Sequence, residues 1–516
     1  MSEFIQLQPF DEHNAALRDN VHPADWQNPE PRSPCPLVVI GAGTAGLVTA
    51  AGAASLGARV TLIERELMGG DCLNVGCVPS KALIQSGRVL AELRDASPFG
   101  IQINGPVKFD FATAMRRMRQ LRARISQADS AQRFTDLGVN VCFGQARFTG
   151  PNTLEVVSSD GRCQPIPFKK AVIATGARAA APPIDGLDQV AYLTNENVFS
   201  LTELPARLGI IGAGPIGVEL AQAFARFGSQ VTLFERSDHI LDREDRDAST
   251  IVNHQLQQDG VTIRLKCNRQ KLVSIKDGQV RITGNSQAGN YNIVVDRLLI
   301  AVGRQPNVDG LNLEAAGVRY DPKGVQVNDW MQTTNRRIFA AGDIASRYQF
   351  THAADFMARI VIQNALFSIG PFGKRKVSRL LIPWTTYTTP EVAHVGMYEH
   401  EALDRGISVN TFVQSFSEND RAILEGAEIG FVKVHVKEGT DKIVGATIVG
   451  KNAGDLISEL TLAMQNGIGL SQIGSTIHPY PTQADAIRRL GDQYNKTRLT
   501  PFSSRILKTL MRFNVG

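Results

Sequence analysis

The sequence predicts an α/β protein with two Rossmann-type dinucleotide-binding domains and a C-terminal α+β domain. A unit made of an apolar strand, a glycine-rich loop, a helix and a second strand occurs twice with the same internal spacing. Apolar strands ending in glycine follow each unit, and short β-branched strands mixed with helices begin after about residue 373. The length of 516 residues is enough for about three domains.

The first unit opens with a continuous apolar run at 37–40, which is typical of a strand buried on both faces. A helix of small residues is predicted to about residue 56, and the next strand, 59–63, ends at Glu64. In such a loop one glycine makes the tight turn, another lets the backbone approach a pyrophosphate, and the third lets the helix pack close to the strand. These glycines are Gly41, Gly43 and Gly46.

The second unit repeats this pattern over residues 208–235. Glu64 lies 23 positions after Gly41, and Glu235 lies 23 positions after Gly212, by subtraction of their numbers. Two copies with identical spacing predict two dinucleotide sites, with the phosphates at the two helix N-termini. The glycines of the second copy are Gly212, Gly214 and Gly217.

The glutamate that ends each unit is expected to accept hydrogen bonds from the hydroxyls of an adenosine ribose. A carboxylate repels a 2′-phosphate, so Glu235 favours NADH over NADPH, and the adjacent Arg236 softens that exclusion. Three apolar strands should complete the two units: 171–176, 298–303 and 338–343. In the C-terminal region we predict strands at 431–436 and 442–449 and helices at 455–465 and 484–495.

The run GGDCLNVGCVPSK at 69–81 places Cys72 and Cys77 five positions apart, directly after the first unit. We expect both on the first turn of a helix, where the partial positive charge of the helix N-terminus favours a thiolate. Beside a flavin, such a pair would form a reversible disulfide and pass on two electrons. The alternative, buried structural thiols, is expected for the remaining four cysteines.

Lys81 lies one helical turn beyond Cys77 and on the same face. A buried lysine needs a carboxylate partner, and Glu219, on the helix of the second unit, is our candidate. The pair would hold positive charge where hydride arrives. The alternative is that both side chains are solvated.

Composition excludes several functional classes. The net charge of +5 comes without a basic block, which argues against nucleic-acid binding. The six cysteines are scattered, and no signal peptide or apolar run of membrane-spanning length is visible, so we expect a cytoplasmic protein. No structural metal is expected.

These motifs resemble class I pyridine nucleotide–disulfide oxidoreductases, the flavoprotein family of dihydrolipoyl dehydrogenase, glutathione reductase and mercuric reductase, and within it the mercuric-reductase-like members. The resemblance implies bound FAD, NAD(P)H as co-substrate and a homodimer held by a C-terminal dimerisation domain. The implied FAD contacts are Gly41, Gly43, Gly46, Glu64, Gly70, Thr175, Gly176, Gly342 and Asp343. The implied NAD(P)H contacts are Gly212, Gly214, Gly217, Glu235 and Gly303.

The resemblance also implies the division of the chain into domains. We expect an N-terminal arm at 1–36, an FAD-binding domain at 37–190 and 310–372, an NAD(P)H-binding domain at 191–309, a dimerisation domain at 373–497, and a basic amphipathic tail at 498–516.

By the same resemblance, electrons pass from the nicotinamide to the flavin, then to the disulfide, then to a substrate. Cys77 would lie against the flavin, and Cys72 would attack the substrate. Disulfide reductases of this family carry His-Pro-Thr with a glutamate five residues after the histidine, as a proton-shuttling pair donated by the partner subunit. This chain has Tyr480-Pro481-Thr482 and Asp485 instead.

Tyrosine is a poor base at neutral pH, and mercuric reductase also has tyrosine at this point. A soft metal ion needs thiolate ligands more than a proton shuttle, so Cys72 and Cys77 would bind Hg(II) if it is the substrate. His478 could share a face with Tyr480 and replace the missing base, or pack at the subunit interface. Unlike mercuric reductases, the chain has no cysteine after Cys267 and no counterpart of their metal-capturing N-terminal domain, which argues against efficient mercury detoxification.

The tail from 502 to 513 mixes apolar and basic residues as a basic amphipathic helix does. It would either lie on an anionic membrane or pack against the dimer. The function we predict is an FAD-dependent NAD(P)H oxidoreductase that reduces a thiol-reactive acceptor, either a small molecule or a metal ion, as mercuric reductase does. The alternatives are a dihydrolipoyl dehydrogenase or other disulfide reductase, and a membrane-associated electron-transfer module with a quinone or protein acceptor.

Overall fold

The computed structural model describes residues 7–30, 33–370 and 372–515. The parts of the predicted arm and tail at 1–6, 31–32 and 516 lie outside the described residues. The chain divides into two compact units. One comprises Met1–Ser237 and Gly260–Leu380, and the other comprises Asp238–Asp259 and Leu381–Gly516.

The helices are, in chain order, α1 Glu12–Val21, α2 Thr44–Ser55, α3 Gly70–Asn74, α4 Cys77–Arg94, α5 Phe111–Ser126, α6 Ala131–Asp136, α7 Pro215–Phe227, α8 Arg246–Gln258, α9 Thr351–Leu366, α10 Glu399–Asp404, α11 Asp420–Leu424, α12 Ala453–Gln465, α13 Leu470–Ser475, α14 Asp485–Thr497 and α15 Pro501–Val515. The strands are β1 Cys35–Ile40, β2 Val60–Glu64, β3 Val139–Phe143, β4 Gln145–Gly150, β5 Thr153–Val157, β6 Cys163–Ile173, β7 Ala177–Ala179, β8 Arg207–Ile211, β9 Gln230–Phe234, β10 Thr262–Arg264, β11 Asn268–Ser274, β12 Val280–Ser286, β13 Gly289–Val295, β14 Arg297–Ile300, β15 Arg304–Pro306, β16 Tyr320–Asp321, β17 Gly324–Val325, β18 Ile338–Ala340, β19 Trp384–Thr386, β20 Glu391–Gly396, β21 Val409–Ser415, β22 Phe431–Lys437 and β23 Ile443–Gly450.

The first sheet has the strand order β3-β2-β1-β6-β5-β4. In addition, β18 pairs with the last three residues of β6, beyond the residues that pair with β5. The strands β3, β2, β1, β6 and β18 run parallel. Strand β1 is central, and its residues Val38, Val39 and Ile40 are buried because helices and sheet cover both faces. The carboxyl ends of β1, β6 and β18 therefore meet at one edge, which is where ligands bind in open α/β sheets.

The second sheet has the parallel order β10-β9-β8-β14 and lies in the same compact unit as the first. Its strands β8 and β9 are followed by the same loop geometry as β1 and β2, as the sequence repeat predicts. Helix α7 begins at Pro215, because proline is a favoured residue for a first helical position.

The second compact unit, which comprises Asp238–Asp259 and Leu381–Gly516, contains an antiparallel sheet of order β19-β20-β23-β22-β21, covered by α12, α13 and α14. Segment Asp238–Asp259, which the sequence assigns to the NAD(P)H-binding domain, groups with this unit. Lys433 on β22 holds it there, with Nζ 2.8 Å from Asp245 Oδ2 and 2.6 Å from Asp247 Oδ2. Among the described helices, none is long and apolar enough to cross a membrane.

Candidate functional site

Two glycines of the loop that follows β1 have no room for a side chain. Gly41 has φ +98°, and a Cβ on it would lie 2.5 Å from the carbonyl oxygen of Ala174. A Cβ on Gly46 would lie 1.8 Å from the carbonyl oxygen of Gly41. The loop therefore passes close to the end of β6 and folds back tightly against α2.

The second loop has the same geometry. Gly212 has φ +103°, and its Cβ would lie 2.5 Å from the carbonyl oxygen of Ala301. A Cβ on Gly217 would lie 1.9 Å from the carbonyl oxygen of Gly212. The helix N-caps in the two loops, Gly43 and Gly214, have no side-chain cap, so first-turn N–H groups are available to an anion.

The glutamates at the strand ends are held alike. Glu64 accepts backbone hydrogen bonds from Ala42 N at 2.6 Å and Glu66 N at 2.8 Å. Glu235 accepts from Ala213 N at 2.7 Å and Ser237 N at 2.8 Å. Each carboxylate oxygen keeps a further lone pair, which is what a ribose hydroxyl requires. Burial raises the pKa of Glu64, although the backbone donors oppose this.

The cysteine-bearing segment lies directly against the first glycine loop. Gly70 begins α3 with φ +58°, and a Cβ on it would lie 2.6 Å from Gly43 Cα. Cys72 lies within α3, and Cys77 begins α4. The expectation that both thiols share one helix is therefore wrong, because Val75 and Gly76 have non-helical dihedrals that separate two helices.

The two thiols lie close enough to share a hydrogen bond, and no disulfide joins them in this structure. The hydrogen bond from Cys72 lowers the pKa of Cys77 to about 6, assisted by Thr351 and the charge of Lys81 and opposed by burial. The same hydrogen bond, with burial, raises the pKa of Cys72. Cys77 Sγ lies 3.4 Å from Thr351 Oγ1, at the start of α9. The negative charge that Cys72 and Cys77 share is therefore located on Cys77.

Lys81 and Glu219 are joined, with Nζ 2.8 Å from Oε2. Glu219 is buried on α7 and Lys81 is about one-third exposed on α4, so the ion pair links the two dinucleotide-binding sheets. An open pocket of about 410 Å³ runs along α4 and α5. Its wall includes Cys77, Lys81, Gln85, Arg117 and Leu121. The lowered pKa of Cys77 favours its thiolate, and its place on this wall makes the sulfur accessible from the pocket.

Arg304 is a residue that sequence analysis missed. Its guanidinium contacts the carboxylate of Asp71, donates to the carbonyl of Ala177 at 2.7 Å, and places Nε 3.3 Å from Asp343 Oδ2. Asp343, an expected FAD contact, is nearly buried, and burial raises its pKa although Arg304 opposes this. Arg304 therefore ties the residue before Cys72 to the end of β18.

Asn307 was missed as well. Its Nδ2 donates to the carbonyl of Thr175 and its carbonyl accepts from Thr175 Oγ1, both at 2.9 Å. Its backbone N–H donates to the carbonyl of Gly176 at 3.0 Å. The turns at Gly176, Gly303 and Gly342 all need positive φ, at +65°, +138° and +83°. The only signal in the sequence was the polar run after Gly303.

The C-terminal candidates are not paired with one another. Tyr480 Oη donates to Asp420 Oδ2 at 2.8 Å, and this hydrogen bond raises the pKa of Tyr480. Asp485, the counterpart of the family's glutamate, instead accepts from Arg488 Nε at 2.8 Å and Arg489 Nε at 2.7 Å. The carboxylate of Asp485 is therefore paired with the two arginines that follow it by one helical turn on α14, and not with Tyr480.

His478 has both ring nitrogens engaged. Nδ1 lies 3.0 Å from the carbonyl of Thr476, and Nε2 lies 2.8 Å from Glu459 Oε1 on α12. Two acceptors favour the charged imidazolium. The pKa of His478 is raised, because these partners outweigh the effect of burial. The arrangement leaves no ring nitrogen to take a proton from a substrate, so it argues against His478 as a replacement base.

The sequence model described as pyridine nucleotide-disulphide oxidoreductase matches residues 36–358, and the model of its dimerisation domain matches 382–490. The chain belongs to this family. It is 35% identical to the mercuric reductase of Staphylococcus aureus over 89% of this chain and 82% of that protein. It is 33% identical to the dihydrolipoyl dehydrogenase of Thermus scotoductus over 89% of this chain and 97% of that protein.

Among solved structures, the fold is similar to the Cu(II) complex of the HOCl-induced flavoprotein disulfide reductase RclA from Escherichia coli. The TM-score is 0.79 at 28% identity, over 89% of this chain and 99% of that chain. The predicted fold class, with two dinucleotide-binding domains and a dimerisation domain, is confirmed. The dimerisation domain supports a homodimer.

As a pyridine nucleotide-disulphide oxidoreductase, the protein uses FAD and NAD(P)H. The residues present fit FAD. The crowded glycines Gly41 and Gly46 leave a side-chain-free cradle, the N-terminus of α2 is uncapped, and Glu64 is held at the strand end. The protein is an FAD-dependent NAD(P)H oxidoreductase of the disulfide type.

Proposed function

We propose that this oxidoreductase works as a homodimer and reduces a thiol-reactive acceptor through Cys72 and Cys77, with Hg(II) as the first candidate. The observation that supports it most is the hydrogen-bonded pair of thiols Cys72 and Cys77. Cys77 has a lowered pKa beside Thr351 and Lys81, and Cys72 holds the shared proton. Such a pair can give up two electrons by closing a disulfide.

FAD, when bound, would supply two-electron transfer between the nicotinamide and this thiol pair. Glu219 would hold the Lys81 ammonium beside Cys77, where its charge adds to the Cys72 hydrogen bond in favouring the thiolate and the Glu219 carboxylate opposes it. For a disulfide acceptor, Cys72 gives up the proton that it shares with Cys77 and attacks one acceptor sulfur, and the other sulfur leaves as a thiol with that proton. The Cys77 thiolate then attacks the Cys72 sulfur, which forms the Cys72–Cys77 disulfide, and the second sulfur leaves as a thiol with one proton from solvent.

Tyr480 favours a metal ion over a disulfide as acceptor. The hydrogen bond to Asp420 raises the pKa of Tyr480, so its phenol stays protonated at neutral pH and cannot be the base that carries the proton from Cys72 to a leaving sulfur. A soft cation displaces thiol protons by binding the sulfurs and needs no such base. The similarity to mercuric reductases supports Hg(II) as the first candidate acceptor. The similarity to dihydrolipoyl dehydrogenases supports lipoamide as the second candidate.

NADH is the proposed co-substrate. The carboxylate of Glu235 is fixed by Ala213 N and Ser237 N at the place where a 2′-phosphate would approach. We also propose a cytoplasmic location with a peripheral membrane contact through the tail. The basis for the location is that the cysteines are few and scattered.

An acceptor panel tests the proposal. Hg(II), lipoamide, glutathione disulfide and a quinone are offered with NADH or NADPH to the wild type, to Cys72→Ala and to Cys163→Ala, which replaces an exposed cysteine away from the loop. We expect Hg(II) turnover above lipoamide turnover, a higher kcat/KM with NADH, loss of both activities in Cys72→Ala, and wild-type rates in Cys163→Ala.

Robust lipoamide turnover would reverse the order of the two acceptors. Hg(II) and disulfide reduction that survive Cys72→Ala would overturn the proposed thiol route. Quinone reduction that survives while the other activities vanish would support the electron-transfer alternative.

A further inference from the structure

The C-terminal helix α15 is an exposed amphipathic surface that the redox chemistry does not use. It spans Pro501–Val515, and none of its side chains is buried. Phe502, Ile506, Leu510 and Phe513 follow each other at four, four and three positions, so they share one face of the helix. Each is between 45% and 91% exposed. Leu507 and Met511, also exposed, widen this apolar face.

The opposite face is basic. Arg505, Lys508 and Arg512 follow at three and four positions, and all three are exposed. Lys496 and Arg498 precede the helix, and no aspartate or glutamate occurs after Asp492. The side chains of the segment from 493 to 516 therefore carry five positive charges and no negative charge.

We propose that α15 lies in the surface of an anionic lipid bilayer, with the apolar face, defined by Phe502, Ile506, Leu510 and Phe513, in the acyl region. Charge decides the occupant. A helix with five unopposed basic residues in and beside it complements acidic lipid headgroups, whereas a second copy of α15 would bring like charges together. The proposal rests on the proposed location and not on the proposed redox chemistry.

The test uses the full-length, FAD-loaded protein and sedimentation with vesicles. We expect binding to mixed phosphatidylcholine–phosphatidylglycerol vesicles to exceed binding to pure phosphatidylcholine vesicles by at least about tenfold, and to fall as salt is added. Ile506→Ser with Leu510→Ser removes the apolar anchor. Arg505→Gln with Lys508→Gln and Arg512→Gln removes the charge, and each set should abolish the difference.

Leu403→Ser is the matched control, because Leu403 is a 58% exposed leucine on α10 of the same unit. It should bind vesicles as the wild type does. NADH-dependent acceptor reduction should be the same in all variants, which separates a failed lipid proposal from a failed redox proposal.

Two results would overturn the proposal. One is equal binding to neutral and mixed vesicles. The other is no vesicle binding, with a change of oligomeric state in the apolar variant, since α15 would then pack against a second copy of the chain.

Discussion

Cys77 is the residue on which the proposed chemistry depends most. It begins α4, it receives a hydrogen bond from Cys72, and Thr351 and Lys81 add a donor and a positive charge. Each of these contacts stabilises the thiolate relative to the thiol, so together they lower the pKa of Cys77 despite burial. Cys77 should therefore be largely ionised at neutral pH in the reduced enzyme.

Removing the Thr351 hydroxyl should raise the pKa of Cys77. A hydrogen bond to a charged group is worth roughly 1.5–3 kcal/mol, which corresponds to a shift of about one to two pH units. In Thr351→Val, the pH at which the Cys77 alkylation rate is half-maximal should move upward by about one unit. The rate is measured by mass spectrometry on the reduced enzyme.

Thr351→Ser keeps the hydroxyl and should follow the wild-type pH profile. If the pH of half-maximal alkylation is unchanged in Thr351→Val, the Thr351 hydroxyl does not lower the pKa of Cys77, and the Cys72 hydrogen bond and Lys81 account for the lowering.

Sequence reasoning identified the thiols and the Lys81–Glu219 contact, because a dense motif and the cost of a buried charge both point to them. It missed Arg304, Thr351 and Glu459. These residues act through partners far away in the sequence, such as Asp71, Cys77 and His478, and no local spacing reveals such contacts.

At the scale of elements, the two glycine loops have the same geometry but are assigned to different nucleotides, so the same substitution in each should affect a different nucleotide. Gly46 and Gly217 hold equivalent positions, where a Cβ would meet a loop carbonyl at 1.8 Å and 1.9 Å. Neither contact can be relieved by a flexible side chain, because the atom it meets is backbone. A single methyl group should therefore distort one nucleotide site and leave the other intact.

Gly46→Ala should lower the FAD content of the purified protein by at least about tenfold, whereas Gly217→Ala should keep FAD and raise the KM for NADH by at least about tenfold. Flavin absorbance and steady-state kinetics measure the two effects, and each variant is the control for the other. Equal FAD loss in both variants would contradict the assignment of the two loops.

The elements themselves were largely predictable. The strands β1 and β2 and the helix α2 start or end within a few residues of the predicted positions, because apolar runs and glycine turns fix them locally. The break between α3 and α4 was not predictable. The motif reads as one helix start, and only the dihedrals of Val75 and Gly76 divide it.

At the scale of the whole molecule, the His478–Glu459 contact makes stability depend on pH. The folded pKa of His478 is raised, so its contribution is fully present below the unfolded value of about 6.5 and is lost as pH rises through the folded pKa. Glu459→Gln should reduce the free energy of unfolding by up to about 1 kcal/mol near pH 6 and by much less near pH 9.

Denaturant unfolding of the wild type and of Glu459→Gln at both pH values measures this difference. Arg421→Gln, which removes an exposed pair with Glu425, is the control and should show no such pH dependence. A larger loss near pH 9 than near pH 6 would contradict a charged His478.

The most direct test of the account is differential alkylation of the FAD-loaded enzyme before and after anaerobic addition of NADH. Cys72 and Cys77 should be linked and unreactive in the oxidised enzyme, NADH should make both alkylatable, and a disulfide acceptor should close them again. Cys163 serves as the internal control and should react equally throughout. If Cys72 and Cys77 react equally with and without NADH while the acceptor is still reduced, electrons do not pass through these thiols.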